Sequence, residues 1–177
     1  MSAGKFIPKL LTVGIWNIEG LYEKINSTKS CKTETKTFQD TLKMFDILCL
    51  EETHVGKDEV LEEFKDFHTI SHCRKKSENN RYFRGFLILI RKSIKKGVKI
   101  LKTNDKDVFE LILLKKYFGL ETDIKLIFMY ASPINSCYTK ARTENVIDTV
   151  EKKIVNSENN CLIMGDLNGR TKLGTTL

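Results

Sequence analysis

Apolar residues in this chain fall in short, nearly continuous runs, and that pattern constrains the fold more than any other feature. Runs rich in β-branched residues occupy Leu10 to Trp16, Ile47 to Leu50, Phe86 to Ile90, Val98 to Leu101, Leu111 to Leu114, Ile124 to Met129 and Cys161 to Met164. Each is of strand length, and several are apolar at consecutive rather than alternate positions. A strand of that kind is covered on both faces, so its sheet lies between other layers. Cys49 and Cys161 sit inside such runs and are expected to be buried.

Helices must supply part of the cover. Between Tyr138 and Asn156, Val146, Ile147, Val150 and Ile154 repeat at helical spacing, and Lys152 and Lys153 lie where the helix dipole favours cations. Thr37 to Phe45 places Phe38, Leu42 and Phe45 on one side, and Asp58 to Phe64 is a third candidate. Strands and helices together predict an α/β fold. A chain of 177 residues, 41% of them hydrophobic, can bury one sizeable core. Glycine and proline are scattered, no repeat or low-complexity tract marks a linker, and the expectation is a single domain over residues 1–177.

Several classes are set aside by composition. The five cysteines, at 31, 49, 73, 137 and 161, form no C-x-x-C pair, so neither a zinc site nor a disulfide framework or disulfide-linked partner is expected. The longest apolar run, Phe86 to Ile90, is far short of a membrane span, and no leader pattern opens the chain. The chain reads as soluble and intracellular, with nothing to separate nucleus from cytoplasm. Lysine and arginine total 30 against 23 acidic residues, a formal charge of +7 that favours approach to a polyanion such as nucleic acid.

Four apolar runs end on residues able to bind a metal or a phosphate. Trp16 leads to Asn17, Leu50 to Glu51 and Glu52, Met129 to Tyr130, and Met164 through Gly165 to Asp166, with Asn168 following. Singly, each is explained by turn chemistry or by a tyrosine reaching water. As a set, side chains presented from the ends of buried strands describe a cleft held by a rigid scaffold.

The ordered segments T-V-G-I-W-N-I-E-G-L (Thr12 to Leu21), D-I-L-C-L-E-E-T-H (Asp46 to His54), F-M-Y-A-S-P (Phe128 to Pro133) and I-M-G-D-L-N-G-R-T (Ile163 to Thr171) resemble the successive motifs of the endonuclease/exonuclease/phosphatase superfamily. The resemblance runs from about Leu10 to Thr171, and G-D-L-N is its most specific piece. E-T-H and N-G-R-T look most like the endonucleases of LINE-type retrotransposons and their domesticated relatives. The resemblance implies a four-layer sandwich of two packed mixed sheets flanked by helices. It implies that Glu52, with Asn17 beside it, holds Mg²⁺, or Mn²⁺ in its place, through a shell completed by water. Asp166 would orient or deprotonate the attacking water, Asn168 would donate to the phosphate, and Tyr130 would hydrogen-bond the phosphate region. His54 is expected at the rim of the site, while His68 and His72 match no family motif. Arg74, Lys75, Lys76, Arg81 and Arg84, joined by Arg170 of N-G-R-T and followed by lysines from Lys92 to Lys102, are candidates for sequence-independent phosphate contact.

The sequence also departs from the family. A Ser-Asp-His element that the family carries on a late strand has no counterpart before Leu177, and all three histidines precede residue 73. The expectation is a domain incomplete at its C-terminus, lacking the late strands, whose activity on its own is in question. Glu51 stands where the family often has Gln, Ser132 precedes Pro133 where a second proline is common, and Arg84-Gly85 replaces a Gly-Gly pair. The function predicted is metal-dependent hydrolysis of nucleic-acid phosphodiesters, with DNA as partner. Two alternatives stand beside it: an inactive remnant that binds nucleic acid or protein, and a phosphatase acting on inositol lipids or another small phosphoester.

Overall fold

The computed structural model describes residues 10–25, 28–55, 64–73, 85–133 and 144–168. The apolar runs become strands, and they assemble into two mixed four-stranded sheets. In the first, β1 (Val13–Asn17) runs parallel to β4 (Ile47–Glu51), which pairs antiparallel with β6 (Phe86–Arg91), which in turn pairs with β5 (Phe67–His72). In the second, β10 (Asn160–Asp166) runs parallel to β9 (Ile124–Tyr130), followed antiparallel by β8 (Val108–Leu113) and β7 (Val98–Ile100). A hairpin of β2 (Tyr22–Ile25) and β3 (Thr28–Cys31) stands apart.

Alternation along the central strands explains their continuous apolarity. Ile47 and Cys49 of β4, Phe86, Ile88 and Ile90 of β6, Phe109, Leu111 and Leu113 of β8, and Leu126 and Phe128 of β9 meet in one core between the sheets. The intervening residues face outward. Leu48, Leu50, Leu87 and Leu89 are covered by Phe38 and Leu42 of helix α1 (Lys36–Lys43), while Val108, Ile127 and Met129 are covered by Val146 and Val150 of helix α3 (Val146–Val155). A single helical turn, α2 (Lys115–Phe118), lies between β8 and β9. The result is helix, sheet, sheet, helix, the expected four layers.

Both long helices have side-chain caps. Thr35 accepts a hydrogen bond from the Phe38 amide at 3.4 Å, and Asn145 accepts from the Ile147 amide at 3.0 Å. Beneath α3 the otherwise apolar layer contains Glu110, 5% exposed, which pairs with Lys153 of the helix and with Lys125 of β9. This charge cluster fastens α3 to the second sheet.

Three features differ from the sequence reading. The β2–β3 hairpin and β5 were not foreseen, because Y-E-K-I, T-K-S-C and F-H-T-I-S-H mix polar and apolar residues; β5 forms along the edge of the hydrophobic β6. Cys161 is only partly buried, and Leu162 and Ile163 are 47% and 40% exposed, because β10 has one neighbouring strand and its other edge is uncovered among the described residues. Of the helix expected over Asp58 to Phe64, all but Phe64 lies outside the described residues.

Candidate active site

The alternation that builds the core also builds the site. Val13 and Ile15, Ile47 and Cys49, Leu126 and Phe128, and Met164 belong to the layer between the sheets. Two residues further along the same strands come Asn17, Glu51, Tyr130 and Asp166, which therefore turn toward that same layer at one end of the sandwich. Both strand pairs are parallel, so their C-terminal ends coincide. Asn17 lies opposite Glu51 in the first sheet, and Tyr130 lies opposite Asp166 in the second.

The two sheets are joined across this floor by side chains. Asn17 Nδ2 donates to Asp166 Oδ2 at 3.2 Å, and the Tyr130 hydroxyl donates to Glu52 Oε1. Asp166 Oδ1 accepts from the Asn168 amide at 2.8 Å, closing a tight turn, and Asn168 Nδ2 donates to the Ala131 carbonyl at 2.9 Å. Asn17 Oδ1 accepts from the Glu19 amide at 3.1 Å. Residues separated by more than a hundred positions thus form one bonded group.

Glu52 follows the end of β4, and in an extended chain it would point away from Glu51. Its φ of 53° places it in the left-handed region and turns its carboxylate toward Tyr130. Two consecutive carboxylates thereby serve one site. A non-glycine residue in that region carries roughly 1–2 kcal/mol of strain. Glu19, His54 and Asn168 are also left-handed, with φ of 48°, 57° and 44°, and with Glu52 they are the four such non-glycine residues among those described. All four lie in loops leaving β1, β4 and β10, and strain held at a rigid site is a signature of functional geometry. The first two loops are laced together: the amides of Ile18, Gly20 and Leu21 donate to the carbonyls of Glu51, Glu52 and Thr53 at 3.2, 2.7 and 3.0 Å.

Gly165 is required by close approach. A Cβ there would lie 2.1 Å from the Met129 carbonyl oxygen of the neighbouring strand. The glycine lets β10 sit close against β9 and so fixes the height at which Asp166 enters the floor.

Glu51, one of the strand-end residues able to bind a metal, received no role of its own from the sequence. It is 1% exposed, and its Oε1 has no hydrogen-bond partner among the described residues. Burial, then the charge of Asp166, then that of Glu52, push its carboxyl up to about 8, against the lowering effect of a backbone hydrogen bond from Asp166. The signal was present in the sequence, since the alternation that puts Ile47 and Cys49 in the core assigns Glu51 to the same face.

The remaining candidates separate clearly. His54 is exposed beside the site, its Cδ2 lying 3.7 Å from where a Cβ on Gly20 would stand. His72 belongs to the core, stacked on Phe86 with Nε2 2.6 Å from the Asp105 carbonyl oxygen, and His68 lies on β5. Lys92, Lys95 and Lys96 follow the C-terminal end of β6, which runs antiparallel to β4, so they occupy the opposite end of the sandwich and do not line the site. Arg74, Lys75, Lys76, Arg81, Arg84 and Arg170 lie outside the described residues. The Gly85 carbonyl accepts from the Thr53 amide at 3.4 Å.

A family model for the endonuclease/exonuclease/phosphatase family matches residues 14–173. The chain belongs to this family. No curated protein matches the chain. Solved structures share the fold at low identity. The human Nocturnin catalytic domain with bound sulfate anion aligns with TM-score 0.56 and 16% identity, covering 90% of this chain and 64% of that one. An AP endonuclease from Archaeoglobus fulgidus aligns with TM-score 0.51, 14% identity and coverage of 90% and 58%. ANGEL2, described as a 2',3'-cyclic phosphatase, aligns with TM-score 0.51, 15% identity and coverage of 90% and 53%. The chain therefore spans less than two thirds of the length of each of these family structures.

A divalent cation, which the family resemblance implies, suits the donor set. Glu51, Glu52 and Asp166 offer hard carboxylate oxygens and Asn17 an amide oxygen, and the buried, unpartnered Oε1 of Glu51 is an acceptor awaiting a positive partner. Among the described residues no group of three or more acidic, histidine or cysteine side chains is placed to hold a metal ion by itself. Mg²⁺ does not need one, since it is held by one or two carboxylates and retains water.

Proposed function

We propose that this chain is the Mg²⁺-dependent catalytic portion of an endonuclease-type phosphodiesterase acting on nucleic acid, DNA above all, and related to the LINE-type retrotransposon enzymes. The observation that carries the reading is the convergence of two parallel strand pairs on one bonded floor, with Asn17 held to Asp166 and Tyr130 to Glu52. Asp166 takes the proton of the attacking water, and Asn17 fixes the carboxylate for that task. Glu52 and Asn17 hold the cation, which when bound neutralises phosphate charge and stabilises the departing oxygen. Tyr130 and the second amide hydrogen of Asn168, the first being committed to Ala131, face the phosphate.

Support for nucleic acid comes from the net charge of +7. The likeness to an AP endonuclease fold agrees with it. A second reading, hydrolysis of a small phosphoester, is favoured by fold neighbours described as a mannosyl-6-phosphatase from Bacteroides thetaiotaomicron and a 2',3'-cyclic phosphatase.

Supercoiled plasmid incubated with the purified chain and Mg²⁺ tests both. Nicking that Asp166→Ala and Glu52→Ala each abolish supports the nuclease. Release of phosphate from a sugar phosphate or an inositol lipid, without nicking, favours the second reading. Salt-sensitive binding without any hydrolysis would overturn both and leave a binding module.

A further inference from the structure

The geometry points to Glu51 as a second carboxylate ligand of the divalent cation, working with Glu52 from the adjacent position. The inference rests on the cation-dependent reading above and goes beyond it by adding a ligand where the family often has an uncharged glutamine.

Three observations carry it. Glu51 is almost completely buried, yet one of its oxygens has no hydrogen-bond partner among the described residues, an arrangement that loses the full desolvation energy of that atom unless something positive meets it. Strand alternation directs the side chain toward the layer between the sheets, and register places it opposite Asn17. The Asn17–Asp166 and Tyr130–Glu52 bonds gather two further carboxylates at the same end of the sandwich, where Glu51 lies opposite Asn17. A cation is the partner that relieves acidic oxygens gathered in this way. The left-handed turn at Glu52 gains a reason in this light. It keeps both consecutive carboxylates on one side of the chain, where a regular strand would separate them.

The test uses Mn²⁺ as the probe, with free ion followed by electron paramagnetic resonance against the metal-stripped full chain. Wild type, Glu51→Gln, Glu51→Asp and Glu52→Gln are compared, and melting is recorded with and without the ion. The expected result is a loss of Mn²⁺ affinity of about tenfold or more in Glu51→Gln, of the size that ligand-sphere changes produce. Metal-free Glu51→Gln should melt close to wild type, because the amide keeps the shape of the carboxyl, while its gain in melting temperature with Mn²⁺ shrinks. Glu51→Asp, which keeps the charge but withdraws the oxygens by one methylene, should fall between the two. Unchanged Mn²⁺ affinity in Glu51→Gln, with loss in Glu52→Gln, would overturn the inference and leave the cation-dependent reading intact. No Mn²⁺ binding by wild type would overturn both.

Discussion

Gly165→Ala tests how firmly the floor of the site is held. The added methyl would lie 2.1 Å from Met129 O and 2.5 Å from Met129 Cγ. Relief requires the strands to part by about 1 Å, since carbon rarely approaches oxygen within the usual van der Waals range of roughly 3.3 Å. Overpacking of this kind costs about 1–3 kcal/mol. Replacing glycine returns about 0.4–1 kcal/mol by restricting the unfolded chain. A net loss of about 1–2 kcal/mol follows, which for a chain of this size lowers the melting temperature by about 2–8 °C. The control is Gly97→Ala, where a Cβ would meet only side-chain atoms, the Tyr117 ring at 2.2 Å and Phe118 Cε2 at 2.7 Å, which yield more readily than a neighbouring strand's backbone. Melting by circular dichroism should therefore show a larger loss for Gly165→Ala than for Gly97→Ala. Equal effects, or a Gly165→Ala protein as stable as wild type, would refute the claim that backbone contact between β9 and β10 sets the height of Asp166.

Other predictions follow from the charged groups. Because the folded pKa of Glu51 is raised from 4.5 to about 8, the native state binds the extra proton more tightly. Metal-free stability should fall as pH rises from about 4.5 to 8 and level off above, by up to about 4–5 kcal/mol at 1.36 kcal/mol per unit; urea titrations of wild type and Glu51→Gln check this, and a slope that survives in Glu51→Gln rejects the assignment. Glu110→Ala leaves Lys125 and Lys153 without their buried partner and should lower urea stability by about 2 kcal/mol, with Glu110→Gln retaining part of the loss. Tyr130→Phe removes the donor to Glu52 and should reduce hydrolysis of the substrate identified by the plasmid or phosphate assays about tenfold while changing stability by less than about 1.5 kcal/mol; wild-type turnover would exclude the hydroxyl from the chemistry.

The sandwich was legible because its central strands are apolar on both faces, as Ile47–Glu51, Phe86–Arg91 and Val108–Leu113 show. What escaped was structure formed by pairing rather than by pattern, above all β5 and the β2–β3 hairpin, whose polar residues gain order from a neighbouring strand. The site was legible in its members and not in its bonds. Asn17 and Asn168 were expected to face metal and phosphate, yet each also spends an amide hydrogen on Asp166 or Ala131, so their first task is to hold the floor in shape. Glu51 was passed over because its neighbour matched the family better, and only its burial with an unpartnered oxygen reveals it.

Each sheet is drawn from one continuous stretch of chain, the first ending at Arg91 and the second beginning at Val98. Neither stretch contains a whole site, because Asn17, Glu51 and Glu52 belong to one and Tyr130, Asp166 and Asn168 to the other. Secondary structure can therefore mature in each half while assembly of the candidate site waits for the halves to meet. The Asn17–Asp166 and Tyr130–Glu52 bonds would then close late in folding, and a chain nicked between Arg91 and Val98 becomes a two-piece system whose reassembly could be timed by the return of its chemistry.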